Sequence, residues 1–338
     1  MSVAQTVLPR WRGFNLLEMF TTKSDGNFRE DDFRWIADWG FSFVRLPMCY
    51  LLWTEPGDVC RVREPMLEKI DRAVRLGQDH GIHVCLNFHR APGYSVNPER
   101  KEPFDLWKDQ AALDAFCFHW KLFARRYRGI PPWQLSFNLV NEPPGPSAAM
   151  TRDDHERVVR AAVAAIRSAD AERPIIADGL AWGNLPCPEL AGLGISQSCR
   201  AYTPMGVSHY KAAWVGGENW PKPAWPGADH YGERYDRERL ALHYEQWAAL
   251  ARSGVGVHCG EGGAFCHTPH DVVLRWLRDV LEILTAHNIG LALWNFRGTF
   301  GVLDSNRADV DYEDWHGHKL DRKLLNLLRE FDWRVAAD

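Results

Sequence analysis

Short apolar runs and longer amphipathic stretches alternate along the whole chain. An apolar run bounded by Gly, Pro, Asn or Asp reads as a buried strand. Apolar residues recurring every three or four positions read as a helix packed on one face. This pattern predicts strands over residues 11–17, 41–46, 82–88, 134–141, 174–178, 198–202, 256–260 and 289–295, with Pro47 expected to stop the second. It predicts helices over 31–39, 65–79, 113–127, 155–168, 237–252, 271–286 and 319–331. Pro65 stands in a first turn, where its missing N–H is tolerated, and Met66, Leu67, Ile70, Val74 and Leu76 give that helix its apolar stripe. Eight strand-helix units with nearly all-apolar strands predict an α/β protein of one kind, a closed parallel (β/α)8 TIM barrel. No linker or low-complexity segment interrupts it, so residues 1–338 are read as one domain. The longest irregular stretch, 203–235, carries Trp214, Trp220 and Trp225. It reads either as a lid over a site or as a loop packed by its own tryptophans.

Two of the apolar runs end in a glutamate: Phe137-Asn-Leu-Val-Asn141-Glu142-Pro143 and Val255-Gly-Val-His-Cys-Gly-Glu261-Gly-Gly263. Parallel α/β proteins place their chemistry at the C-terminal mouths of the strands. Two glutamates there suggest a carboxylate pair, which hydrolysis of a glycosidic bond requires. The other strand ends carry Arg45, Asn87-Phe88-His89-Arg90, Asp178-Gly-Leu-Ala-Trp182, Tyr202 and Trp294-Asn295. Taken singly, Arg45 reads as an ion-pair partner, His89 as a satisfied core histidine and Trp294 as a packing residue. At equivalent positions on successive strands, groups that are costly to bury alone read instead as one pocket.

Composition narrows the function classes. A length of 338 residues with 46% hydrophobic and 25% charged residues is ordinary for a globular chain and fits one barrel. A net charge of −4 with no basic stripe leaves no electrostatic footprint for nucleic acid. No apolar run is long enough to span a bilayer. The first ten residues lack the basic start and apolar core of a secretory leader, so a cytoplasmic location is expected, or secretion if a leader was removed. Eight scattered cysteines without a C-x-x-C pair suit buried thiols, although one bridge stays open. Sixteen tryptophans stand out, since loop tryptophans offer flat apolar faces to sugar rings. No metal or cofactor is expected. The acids Asp304, Asp309, Asp311, Glu313 and Asp314 lack the spacing of a calcium loop. His316-Gly-His318 has no further ligand nearby, and Gly254-x-Gly256 lies before a strand, not after one.

The strand-end residues resemble those of glycoside hydrolase family 5, retaining β-glycosidases of the (β/α)8 clan that include cellulases and mannanases. Asn141-Glu142-Pro143 and Glu261 carry the resemblance, with Arg45 in Val-Arg-Leu-Pro, His89 in Asn-Phe-His and Trp294 in Leu-Trp-Asn-Phe in the family's order. One position departs from it. The sixth strand of the family ends in His-x-Tyr, and here the segment is Arg200-Ala201-Tyr202, followed by His209 and Trp214. The resemblance implies an endo-acting β-1,4-glucanase, with Glu142 as acid/base and Glu261 as nucleophile. Asn141 would bond the sugar 2-hydroxyl, His89 and His209 would position other hydroxyls, and Trp294 would lie under the sugar. Tyr202 and Arg45 would support Glu261, with Trp182, Trp214, Arg200 and Asp304 also facing the substrate. Retention implies a carboxyl separation of about 5–5.5 Å. A β-linked oligo- or polysaccharide is the expected partner of a monomer. A mannanase, an exo-acting β-glucosidase, a transglycosylase and a non-catalytic carbohydrate-binding barrel stay open at this point.

Overall fold

The computed structural model describes residues 6, 8–97 and 101–331, so most of the N-terminal segment read above for a leader lies outside the described residues. Eight strands form the barrel: β1 (Arg12–Asn15), β2 (Phe43–Cys49), β3 (His83–Ala91), β4 (Leu135–Asn138), β5 (Ile175–Asp178), β6 (Ser196–Ala201), β7 (Val257–Gly262) and β8 (Gly290–Leu293). Each pairs in parallel with the next, and β8 pairs with β1, which closes the sheet. Around it run α1 (Glu30–Asp38), α2 (Glu64–Asp79), α3 (Gln110–Arg126), α4 (Arg152–Arg167), α5 (Arg237–Arg252), α6 (His270–Ala286) and α7 (Arg322–Glu330). Thr151 caps α4 through a reciprocal pair of bonds with Asp154.

Two expectations need correction. β2 runs through Pro47 to Cys49. In a parallel strand the N–H and C=O of one residue face the same neighbour, and the Arg45 carbonyl accepts from Leu16 on the β1 side. Pro47, two residues on, faces that same side beyond the end of β1, so its missing donor breaks no ladder bond. The fifth crossover also lacks a long helix; a short helical turn, Leu180–Gly183, and a 3-10 turn, Pro188–Leu193, make it instead.

Period-two alternation sorts the barrel interior into layers. At the N-terminal end Trp11, Phe43, Cys85, Ile176 and Ala292 form a small apolar cluster. His83 stacks on Trp11 at 4.0 Å, and His258 packs on Phe43 at 4.7 Å. Higher in the barrel, β1 to β6 present Asn15, Arg45, Asn87, Asn138, Asp178 and Arg200, all buried. The floor of the barrel is therefore apolar and its mouth is charged.

The floor carries a pH liability. Burial pushes His258 down to about 3, and both of its ring nitrogens lack a hydrogen-bond partner among the described residues. An unfolded histidine takes up its proton near 6.5. Stability from a neutral buried histidine is thus complete above pH 6.5 and falls as the pH drops from there toward 3, by about 1.4 kcal/mol per unit. His83 follows the same course, with burial lowering it to about 3. Replacing His258 by Leu removes two unbonded nitrogens and is expected to be near neutral at pH 8. Thermal melts of both proteins between pH 8 and 4.5 check this: the variant should lose stability less steeply below pH 6.5, and parallel slopes would refute the assignment.

Candidate active site

Two local backbone features turn the glutamates into the barrel mouth. Alternation would point Glu261 outward, because His258 lies inside. Between Cys259 and Glu261 the register of β7 shifts against β6, and a shift over the same stretch appears against β8. Such a bulge re-aims the side chain that follows it. Glu142 lies beyond β4, reached through a segment still bonded on both sides: Leu139 N–H donates to Ile176 O (2.9 Å), Asn141 N–H to Phe88 O (3.0 Å). Glu142 itself has φ of 48°, a left-handed conformation uncommon for a side-chain-bearing residue. Its N–H donates to Asp178 Oδ2 (2.9 Å), and the Tyr94 hydroxyl donates to its carbonyl (2.6 Å). These two bonds hold the conformation that aims the carboxylate.

Two guanidiniums and three carboxylates fill the mouth. Arg45 Nη1 donates to Glu261 Oε1 (2.5 Å) and to Asn15 Oδ1 (3.0 Å), and its Nε donates to Asn138 Oδ1 (2.9 Å). Tyr202 donates to the other oxygen of Glu261 (3.1 Å). Arg200 Nε donates to Glu142 Oε1 (3.0 Å), and its Nη2 pairs with Asp178 and stands 3.4 Å from Glu261 Oε1. Asn141 Oδ1 accepts from Arg45 Nη2 (2.8 Å) and Arg200 Nη2 (2.9 Å). With its oxygen occupied twice, the amide presents its Nδ2 donor, which is buried and has no partner among the described residues. That donor is free for a ligand hydroxyl.

Burial raises the Glu142 carboxyl most, and the negative charge on Glu261 adds to it; together they hold it up to about 8 against the pull of Arg200. Arg200 stays charged well beyond its ordinary value: burial opposes the charge, and Asp178, Glu261 and Glu142 more than offset that opposition. His89 is pushed far below the usual histidine range, chiefly by burial and then by Arg45 and Arg200. It is therefore a neutral ring. Asn97 Nδ2 lies 3.3 Å from its Nε2.

An aromatic rim surrounds this centre. Trp294 stacks on His89 at 5.6 Å, and Phe20 packs edge-on against both rings. On the far side His209 meets Tyr202 at 5.0 Å and Trp214 at 6.0 Å. Burial lowers His209 to about 4, and its Nδ1 lies 2.8 Å from Ser208 Oγ. Trp214 and Trp182 are the exposed tryptophans here, at 56% and 51%. Trp182 N–H donates to the Pro143 carbonyl (3.0 Å), which places this residue beside Glu142. Within segment 203–235 Trp225 is buried, donating to Asp279 (2.8 Å), as a loop packed by its own tryptophans would have it, while Trp214 is exposed beside His209.

The structure thus brings together Arg45, Asn141, Glu142, Arg200, Tyr202 and Glu261, with His89 and Trp294 on one flank and His209, Trp182 and Trp214 on the other. It does not bring in Asp304. That carboxylate accepts from His318 Nδ1 (2.8 Å) and Lys319 N–H (2.9 Å), and bonds none of the cluster residues. Sequence reading missed Asn138 and Asn15 as site residues, and it put Asp178 among the strand-end groups without giving it a role. Asp178 accepts from Asn138 Nδ2 (2.9 Å) as well as from Glu142 and Arg200, and so ties the acid side of the pair to the barrel. Its place at a strand end was the available signal. Among the described residues no group of three or more His, Cys, Asp or Glu is arranged to hold a metal ion.

The family model for cellulase, glycosyl hydrolase family 5, matches residues 4–299. This chain belongs to glycosyl hydrolase family 5. A solved glycoside hydrolase structure is 39% identical, with a TM-score of 0.91 and coverage of 95% of this chain and 99% of that one. Endoglucanase C of Acetivibrio thermocellus is 24% identical over 317 residues, 84% of this chain and 88% of the relative. The structure of Thermotoga maritima Cel5A with mannotriose is 22% identical, covers 94% of this chain and 97% of that one, and has a TM-score of 0.75; it speaks to the fold alone. Membership makes the chain a glycoside hydrolase and explains why its strand ends carry so much charge. Where the resemblance read from the sequence expects a histidine, the cluster holds Arg200.

Proposed function

We propose that this family 5 hydrolase cleaves β-1,4-linked glucans with retention of configuration, with Glu142 as acid/base and Glu261 as nucleophile. One observation carries the reading: the two carboxylates share a single guanidinium yet stand in unlike surroundings. Glu261 receives donors from Arg45 and Tyr202 on separate oxygens, which suits an ionised nucleophile. Glu142 is held up to about 8 and so carries its proton at neutral pH, as a general acid must. One side chain reaching both is compatible with the short separation of a retaining pair, about 5–5.5 Å.

In the first step Glu261 bonds the anomeric carbon, the glycosidic C–O bond breaks, and the proton of Glu142 goes to the leaving oxygen. In the second, water gives a proton to Glu142 and displaces Glu261. Asn141 Nδ2 bonds the sugar 2-hydroxyl, a contact that strengthens as the ring flattens. Trp294 lies under the sugar being cleaved.

The relatives' names support a glucan: endoglucanase C, and cellodextrinase A of Ruminococcus flavefaciens. The solved Thermotoga Cel5A complexes hold both cellobiose and mannotriose, so mannan is the alternative to test. Defined cello- and manno-oligosaccharides, followed by proton NMR of the fresh products, separate the readings. The expected result is cleavage of cello-oligosaccharides with the β-anomer formed first. An initial α-anomer would remove the retaining mechanism, faster cleavage of the manno series would move the substrate, and binding without product would leave only a carbohydrate-binding barrel.

A further inference from the structure

Arg200 is fully buried, and room has been made for it. A Cβ at Gly183 would lie 2.5 Å from Arg200 Cγ, and one at Gly260 would lie 3.2 Å from its Nη1. The Nη1 group is tied down by Ser198 Oγ (3.0 Å) and the Cys199 carbonyl (3.1 Å). The remaining nitrogens face acids: Nε toward Glu142, and Nη2 toward Asp178 and Glu261. No other cation in the cluster contacts both members of the catalytic pair, since Arg45 bonds Glu261 and not Glu142.

We propose that Arg200 is a positioning residue that serves as the shared counter-ion of the pair, facing whichever of Glu142 and Glu261 is ionised as the reaction proceeds. This rests on the functional reading above. Before cleavage the cluster holds ionised Glu261 and Asp178, a protonated Glu142 and two guanidiniums. After the first step Glu261 is an ester and Glu142 has lost its proton to the leaving group. Two anions again face two cations. A neutral side chain at position 200 would leave an unbalanced anion in both states, in a mouth where burial makes unpaired charge costly. Arg200 also stabilises Glu142 as the base that receives the proton of water in the second step.

The consequence is a pH effect. Glu142 is faced by Tyr94 from the loop after β3, Asp178 from β5, Arg200 and Tyr202 from β6 and its end, and Glu261 from β7, while Arg45 from β2 bonds Glu261 instead. Among these, Arg200 is the cation that bonds the Glu142 carboxylate, and it opposes the upward push of burial and Glu261. Activity on oligosaccharides falls on the alkaline side as Glu142 loses its proton. Removing an adjacent positive charge raises a carboxyl by about 1–3 units, so Arg200→Gln should carry the alkaline limb of kcat/KM upward by that amount. Arg200→His, which places the family residue here, is neutral at alkaline pH and should move the limb in the same direction, even if Arg200→Gln fails to fold. Arg200→Lys keeps a cation and should leave the limb where the parent has it. A merely structural arginine would lower activity without displacing the limb.

The measurement is kcat/KM on a cello-oligosaccharide from pH 5 to 10 for the parent and the three variants. An unmoved limb in the neutral variants, or an equal displacement in Arg200→Lys, overturns the inference while the glycosidase reading stands. A parent with no activity on any β-linked oligosaccharide fails that reading first, and this inference with it.

Discussion

Glu261→Gln is expected to reduce kcat/KM on cello-oligosaccharides by a factor on the order of 10^5–10^6, the scale seen when a covalent nucleophile is removed. An amide cannot form the glycosyl ester, so the double displacement has no first step. The variant should still fold. Gln has the same shape, its carbonyl oxygen can accept from Arg45, and the Tyr202 hydroxyl can turn to accept from its NH2. Breaking a buried ion pair by removing one partner costs about 3–5 kcal/mol when the other charge is stranded. Arg45 is not stranded, because Asn15, Asn138 and Asn141 still accept from it, so the loss should fall below that range. Thermal melts set beside single-turnover kinetics report both quantities. Turnover within tenfold of the parent would refute the nucleophile assignment. A Glu261→Gln protein that is inactive but as stable as predicted would tie the lost activity to chemistry and not to folding.

The barrel was readable because two independent patterns agree along the chain. Apolar runs mark strands, and their period-two partner residues mark the interior. The two glutamates of the mouth were readable for a narrower reason: each ends an apolar run. What aims them was not readable. The left-handed backbone at Glu142 depends on Asp178 and Tyr94, which arrive from β5 and from the loop after β3. The bulge before Glu261 is a misfit against two neighbouring strands, and its local sign, Gly260 inside the strand, does not say which way the next side chain turns. Asp178 was visible as a strand-end acid, but its three partners come from β4, β6 and the segment after β4. Asp304 shows the converse error. Gly-Val-Leu-Asp after β8 imitates a strand end, yet the chain there turns into a hairpin, Glu313–Trp315 with His318–Leu320, whose residues take the carboxylate. Pro47 misled because a proline rule written for central strands does not apply where the neighbouring strand has already stopped.

Replacing Glu142 by Ala should separate the two halves of the reaction. General acid catalysis contributes about 10^2–10^4-fold, and that contribution matters most when the leaving oxygen is a poor one. Cello-oligosaccharides leave as sugar alkoxides and need the proton, so their kcat/KM should fall by about that factor. An aryl cellobioside with a strongly acidic phenol needs little help to depart, and its first step should be nearly unimpaired. The second step still lacks its base, so glycosyl-enzyme on Glu261 should accumulate and appear as a burst of phenol. Azide requires no base to attack; added to this variant it should restore turnover and yield the β-glycosyl azide. The pH profile supplies an independent reading. In the parent Glu142 must be protonated, and with its carboxyl held up to about 8 the activity falls as the pH rises through that region. In Glu142→Ala that alkaline limb should disappear. Folding is not at stake, since alanine accepts the left-handed backbone about as well as glutamate does and Arg200 keeps Asp178 and Glu261 as partners. An equal loss on both classes of substrate, with the alkaline limb intact, would show that the acid is some other group. The aryl substrate alone decides between those outcomes, because it removes the need for the proton and leaves the nucleophile untouched.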